Sequence, residues 1–141
     1  MGLIVTTVWL AVFNYPDQKL HLIACDVGQG DAMLANFGNT QILVDGGSNK
    51  KVLECLGEHM PFWDRTIELV VLTHPQTDHF GGLIDVFKTY EVEKFLATSL
   101  GSGSNDYRAL IEEVGGVLVS GVKNLSRGEG RTAEMEVKAE M

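Results

Sequence analysis

Four potential metal donors fall within six residues: His74, Gln76, Asp78 and His79, in the stretch His74-Pro75-Gln76-Thr77-Asp78-His79. A lone histidine is ordinarily structural. Two imidazoles and a carboxylate this close supply the donors that zinc, manganese and iron accept. His74 and Gln76 are two apart, so in extended chain they project to the same side. Asp78 and His79 are expected to open a helix, whose first turn can swing both back toward that side. Gly81-Gly82 then lets backbone pass close to a metal or substrate, with no Cβ in the way. Gln76 is the weakest of the four. Its neutral amide oxygen binds zinc less well than imidazole and favours harder metals such as manganese or magnesium.

The elements that must hold these residues can be read outward from the loop. Residues 67–73, IELVVLT, are rich in β-branched side chains and predict a strand buried on both faces. His74 follows it, at the strand end where α/β folds place their chemistry. Leu83, Val86, Phe87 and Tyr90 fall on one helical face. Upstream, residues 20–27, 32–37 and 41–45 predict three strands. Gly28-Gln29-Gly30-Asp31 forms a turn between the first two, and Gly38-Asn39 a hairpin between the last two. Val52, Leu56 and Met60 recur at helical spacing over residues 49–60, before Pro61. Downstream come a short strand over 93–98 and a Gly101-Ser102-Gly103 loop. Ser104 caps a helix carrying Tyr107, Leu110, Ile111 and Val114, which Gly115-Gly116 stops. A strand over 117–120 and an alternating, half-buried strand over 133–140 complete the chain. A β-meander followed by strand–helix alternation predicts an α/β (α+β) fold, one sheet layer flanked by helices.

Composition narrows the function classes. Hydrophobic residues make up 45% and charged residues 21%, as in a globular domain. A net charge of -8 argues against a basic nucleic-acid-binding face, although bound divalent metal would offset carboxylates where a phosphate docks. The two cysteines, Cys25 and Cys55, form no C-x-x-C pair and read as buried thiols. No charge occurs before Asp17, and residues 2–13 read GLIVTTVWLAVF. A spanning helix needs about 20 apolar residues, and a signal peptide needs a basic start. Two readings fit this run: the tail of a transmembrane helix that begins upstream of Met1, or a buried strand or core helix. The first divides the chain into a helix remnant and linker over 1–16 and a partial domain over 17–141. It also predicts several apolar stretches of about 20 residues in the upstream reading frame.

The phrase His74-Pro75-Gln76-Thr77-Asp78-His79-Phe80-Gly81-Gly82 resembles the H-x-H-x-D-H-x-G-G motif of the metallo-β-lactamase superfamily. Asp26-Val27-Gly28-Gln29-Gly30-Asp31-Ala32, followed by Ile42-Leu43-Val44-Asp45-Gly46-Gly47, is similar to the C-terminal domain of ComEC-type DNA-uptake channel proteins. The likeness covers about residues 20–120.

That resemblance implies the N-terminal half of an αββα sandwich. It makes His74 a ligand of a first metal, and Asp78 and His79 catalytic-centre ligands of a second; the metals are zinc or manganese. Asp45 would orient a metal-site histidine from behind; its other reading is a turn-forming residue before Gly46-Gly47. Asp31 either faces the site or is a simple loop residue. The implied activity is metal-dependent hydrolysis of DNA phosphodiesters, by a soluble extracytoplasmic domain joined to the cell membrane through the N-terminal apolar segment. Two departures bear on this. Gln76 stands where the motif has a second histidine, and no histidine follows His79. His21 and His59 match no family motif and read as structural. Residues 1–141 are therefore expected to bind one metal weakly and to leave DNA intact. The alternatives are a non-catalytic binding domain on the same scaffold, or an inactive fragment.

Overall fold

The computed structural model describes residues 2–13, 17–97, 105–115 and 118–121. The expected β-meander is present. Strands β1 (Leu20–Ala24), β2 (Met33–Phe37) and β3 (Thr40–Val44) pair antiparallel in succession. Phe37 faces Thr40, which leaves Gly38-Asn39 as the two-residue hairpin loop, with Gly38 at positive φ. Helix α2 (Lys51–His59) follows and packs Val52, Cys55 and Leu56 inward.

Residues 67–73 do not form one strand. They divide into β4 (Thr66–Ile67) and β5 (Leu69–Leu72), with Glu68 between them. The Glu68 carboxylate accepts from the Gln41 backbone N at 2.6 Å, while its own N–H donates to the Gln41 carbonyl at 3.1 Å. This double link fixes the break beside β3. Helix α3 (Thr77–Thr89), β6 (Glu91–Val92), β7 (Lys94–Ala97), α4 (Asn105–Val114) and β8 (Leu118–Gly121) follow. β4 pairs with β6 in a small separate ladder. The main sheet runs β1-β2-β3-β5-β7-β8, parallel from β3 onward. The Ser104 cap, the Gly101–Gly103 loop, the Asn14–Pro16 linker and the strand expected over 133–140 lie outside the described residues.

One core joins the sheet to its helices. Leu34, Leu43, Val70, Leu72, Phe95 and Ala97 pack with Leu56 of α2, with Phe80, Leu83 and Val86 of α3, and with Tyr107 and Leu110 of α4. Phe80 meets Tyr107 edge-on, as Phe87 meets Phe95. Register places Leu20, Leu22, Met33, Ala35, Phe37, Ile42, Val44, Leu69, Val71 and Leu96 together on the other face. That face is apolar yet uncovered among the described residues, most openly at Leu20 (63% exposed) and Leu22 (66%). The expectation of a strand buried on both faces therefore holds for only one face of β5, whose alternate residues are half-buried.

The N-terminal apolar run is helix α1 (Gly2–Phe13). The run is thus a helix and not a strand, and Ile4, Val8 and Trp9 are exposed among the described residues. Among the described residues no helix is long and apolar enough to cross a membrane. The cysteines also depart from expectation. Cys25, just past β1, and Cys55, on α2, form a disulfide with Cα atoms 5.7 Å apart. No sequence spacing announced it, because the pair meets only when α2 folds back over the meander.

Candidate metal centre

Asp45 stands at the end of β3, where parallel pairing with β5 sets it beside Thr73; its N–H donates to the Val71 carbonyl at 2.8 Å. It adopts φ 58°, a left-handed conformation that Asp tolerates better than most residues. The backbone then turns sharply through Gly46 and Gly47, both tightly enclosed. A Cβ on Gly46 would press into Leu83, and one on Gly47 into Val27. This backbone fits the turn-forming reading of Asp45.

Asp45 is 3% exposed, and its carboxylate accepts three hydrogen bonds. Oδ1 accepts from the Thr73 N–H at 2.8 Å; Oδ2 accepts from the Thr73 hydroxyl at 2.6 Å and faces His79 Nδ1 at 3.0 Å. A carboxylate only accepts, so His79 carries a proton on Nδ1, and in the neutral ring Nε2 keeps its lone pair. This is the arrangement of a metal-binding histidine backed by a carboxylate.

His74 follows Thr73 on the loop after β5 and is exposed; its Nδ1 lies 3.0 Å from the Thr73 hydroxyl. The His74 and His79 rings are 5.4 Å apart, centre to centre. Thr77, Asp78 and His79 form the first turn of α3, with Asp78 half-buried. Gln76 is the residue before the helix and acts there through its backbone: its carbonyl accepts from the N–H groups of His79 (2.9 Å) and Phe80 (3.1 Å). Its side chain is exposed and makes no capping hydrogen bond.

The turn after β1 closes over the start of α3. A Cβ on Gly30, at φ 100°, would overlap the Asp78 carbonyl. The Asp31 carbonyl accepts from the Gly47 N–H at 2.9 Å, so Asp31 joins the two motif loops through backbone while its side chain is exposed. Gly81 and Gly82 lie against the Ser48 and Gly46 carbonyls, where any Cβ would clash. The glycine pair therefore serves helix-to-loop packing.

Among the described residues no three His, Cys, Asp or Glu side chains converge into a group able to hold a metal. The donors fit a metal in part. His79 presents Nε2 with a carboxylate behind it, and His74 lies one ring away, but a zinc site ordinarily takes three good protein ligands. Thr73 went unnoticed in the sequence. Its signal, a hydroxyl directly before the first histidine, acquires meaning only once β3 pairs with β5. His21 and His59 lie elsewhere, as expected. They help line a cleft of about 240 Å³ with Asp17, Asn36 and Glu58. His21 Nε2 binds Asp17 Oδ1 at 2.8 Å and holds that carboxyl below its usual range, and the His59 carbonyl accepts from Asn36.

No family model matches the chain. It is 33% identical over 98 residues to a hydroxyacylglutathione hydrolase of Pectobacterium carotovorum, covering 63% of this chain and 38% of that protein. Among solved structures it is similar to the Rm3 metallo-β-lactamase (18% identity, 63% of this chain, 35% of that one, TM-score 0.47). Others are a subclass B3 metallo-β-lactamase from a soil metagenome library (21%, 63%, 36%, 0.47) and a metallo-β-lactamase from Hirschia baltica (23%, 77%, 48%, 0.41). The chain thus spans little more than a third of the length of the curated relative it matches.

Proposed function

We propose that this chain forms the N-terminal half of a metal-dependent hydrolase domain, with His74, Asp78 and His79 as its donors and a DNA phosphodiester as substrate. The observation that carries the metal reading is the pair of neighbouring imidazoles gathered around one buried carboxylate. A bound divalent zinc or manganese ion would supply an activated water and Lewis-acid polarisation of the scissile group. The residues of this chain orient the donors: Asp45 fixes His79, and the first turn of α3 fixes Asp78. The DNA substrate rests on the motif likeness to ComEC-type proteins. Attachment to a membrane is supported by the exposed apolar face of α1, and an extracytoplasmic location by the Cys25–Cys55 disulfide, since such bonds persist in oxidising compartments.

A second reading, thioester hydrolysis, is favoured by the hydroxyacylglutathione hydrolase relative. A third, a binding domain that has shed its chemistry, is favoured by Gln76 in the second-histidine position. The test is metal content after dialysis, alongside hydrolysis of a labelled DNA strand and of a hydroxyacylglutathione. Metal lost in both His74→Ala and His79→Ala, with DNA cleaved in preference to thioester, is the expected result in a protein holding a full ligand set. Thioester turnover without DNA cleavage overturns the substrate. Metal retention indifferent to both substitutions overturns the site.

A further inference from the structure

We propose that Thr73 is a positioning residue that relays the Asp45 carboxylate to His74, so that one buried acid sets the ring state of both histidines. The proposal rests on the metal reading given above and deepens it. The Thr73 hydroxyl lies 2.6 Å from Asp45 Oδ2, and a carboxylate has no proton to give. The hydroxyl must therefore donate to Asp45, which spends its single hydrogen. The same oxygen lies 3.0 Å from His74 Nδ1 and has only lone pairs left to offer there. His74 must therefore donate from Nδ1, and in the neutral ring its Nε2 is the free lone pair. His79 reaches the same state directly through its 3.0 Å contact with Asp45 Oδ2. One carboxylate oxygen thus prepares both Nε2 atoms as donors, on rings 5.4 Å apart. The Thr73 backbone N–H, bound to Asp45 Oδ1 at 2.8 Å, locks the threonine in register for this task. His74 is exposed, and among the described residues its ring hydrogen bond to Thr73 supplies the orientation that burial gives His79.

The test uses the full chain with 15N-labelled histidine at mildly alkaline pH, where a free imidazole is neutral, and zinc alone as the probe in a chelator competition. The expected wild-type spectrum shows both His74 and His79 with the proton on Nδ1. Thr73→Val keeps the shape and removes the hydroxyl. It should release His74 to a mixed ring state, leave His79 unchanged, and weaken zinc binding about 10–100-fold, as losing a partner behind a ligand does. Thr73→Ser should restore both readouts. A wild-type His74 protonated on Nε2 overturns the relay without any variant, so a misfolded Thr73→Val leaves the question decidable. Unchanged ring state and zinc affinity in a folded Thr73→Val overturn it as well. If no form binds zinc while His74 shifts in Thr73→Val alone, the relay stands and the metal reading fails.

Discussion

Replacing Asp45 separates folding from site chemistry, because two substitutions at that position act on different terms. Asp45→Ala deletes the acceptor of three hydrogen bonds at a carboxylate that is 3% exposed. Leaving such buried donors unmade costs about 1–3 kcal/mol each, less what neighbours recover by moving. Alanine at φ 58° adds about 1 kcal/mol of backbone strain. A loss of at least about 4 kcal/mol follows, most of the margin of a domain at the low end of the usual range of about 5–15 kcal/mol. Asp45→Asn behaves differently. Asparagine tolerates the left-handed backbone, and its Oδ1 still accepts from the Thr73 N–H. Its NH2 replaces Oδ2 and donates two hydrogens, one toward Thr73 Oγ1 and one toward His79 Nδ1. Both partners can answer by reversing: the hydroxyl accepts, and His79 moves its proton to Nε2. The hydroxyl hydrogen then points at His74 Nδ1 and drives the same reversal there. The stability cost is about 1 kcal/mol, yet both Nε2 atoms become protonated and cease to be donors. Urea unfolding gives the first quantity; 15N histidine spectra with zinc competition give the second. An Asp45→Asn as destabilising as Asp45→Ala, or one that keeps the zinc affinity and Nδ1 protons of the parent, refutes this role for Asp45.

Three further outcomes follow from the same structure. Reducing the Cys25–Cys55 bridge, or replacing both cysteines by serine, should lower unfolding free energy by about 3.6 kcal/mol for a closure of 30 residues, read by urea unfolding with and without reductant. Gly30→Ala should destabilise by more than about 1 kcal/mol, because φ 100° disfavours any side chain and the new Cβ meets the Asp78 carbonyl; thermal melting measures it, and a neutral result would show that the loop can back away from α3. Leu22→Glu, at a position 66% exposed, should change stability by no more than about 0.5 kcal/mol, while light scattering shows less self-association, since the apolar sheet face it interrupts is of the kind that seeks a partner layer.

The local elements near the site were legible from residue order alone. Gly38-Asn39 set the hairpin, Val52 and Leu56 set the inner face of α2, and Leu83 with Val86 set that of α3. These follow from nearest-neighbour preferences and periodicity, which act over a few residues. Residue order also placed His74, Asp78 and His79 at one strand-to-helix junction, because their spacing is local. Tertiary structure decided what each of them touches. Nothing near Thr73 in sequence marks it as the hinge between Asp45 and His74; that role needs β3 and β5 to lie parallel, a pairing across 28 residues. The split of residues 67–73 at Glu68 came from a bond to Gln41 on a neighbouring strand, invisible to a period count. The disulfide joined cysteines 30 apart that share no motif. The unbroken apolar run over 67–73 marked a strand apolar on both sides. Only the packing of α2, α3 and α4 decided which side is filled, since a helix layer can cover one face of a sheet and leaves the other to a second layer.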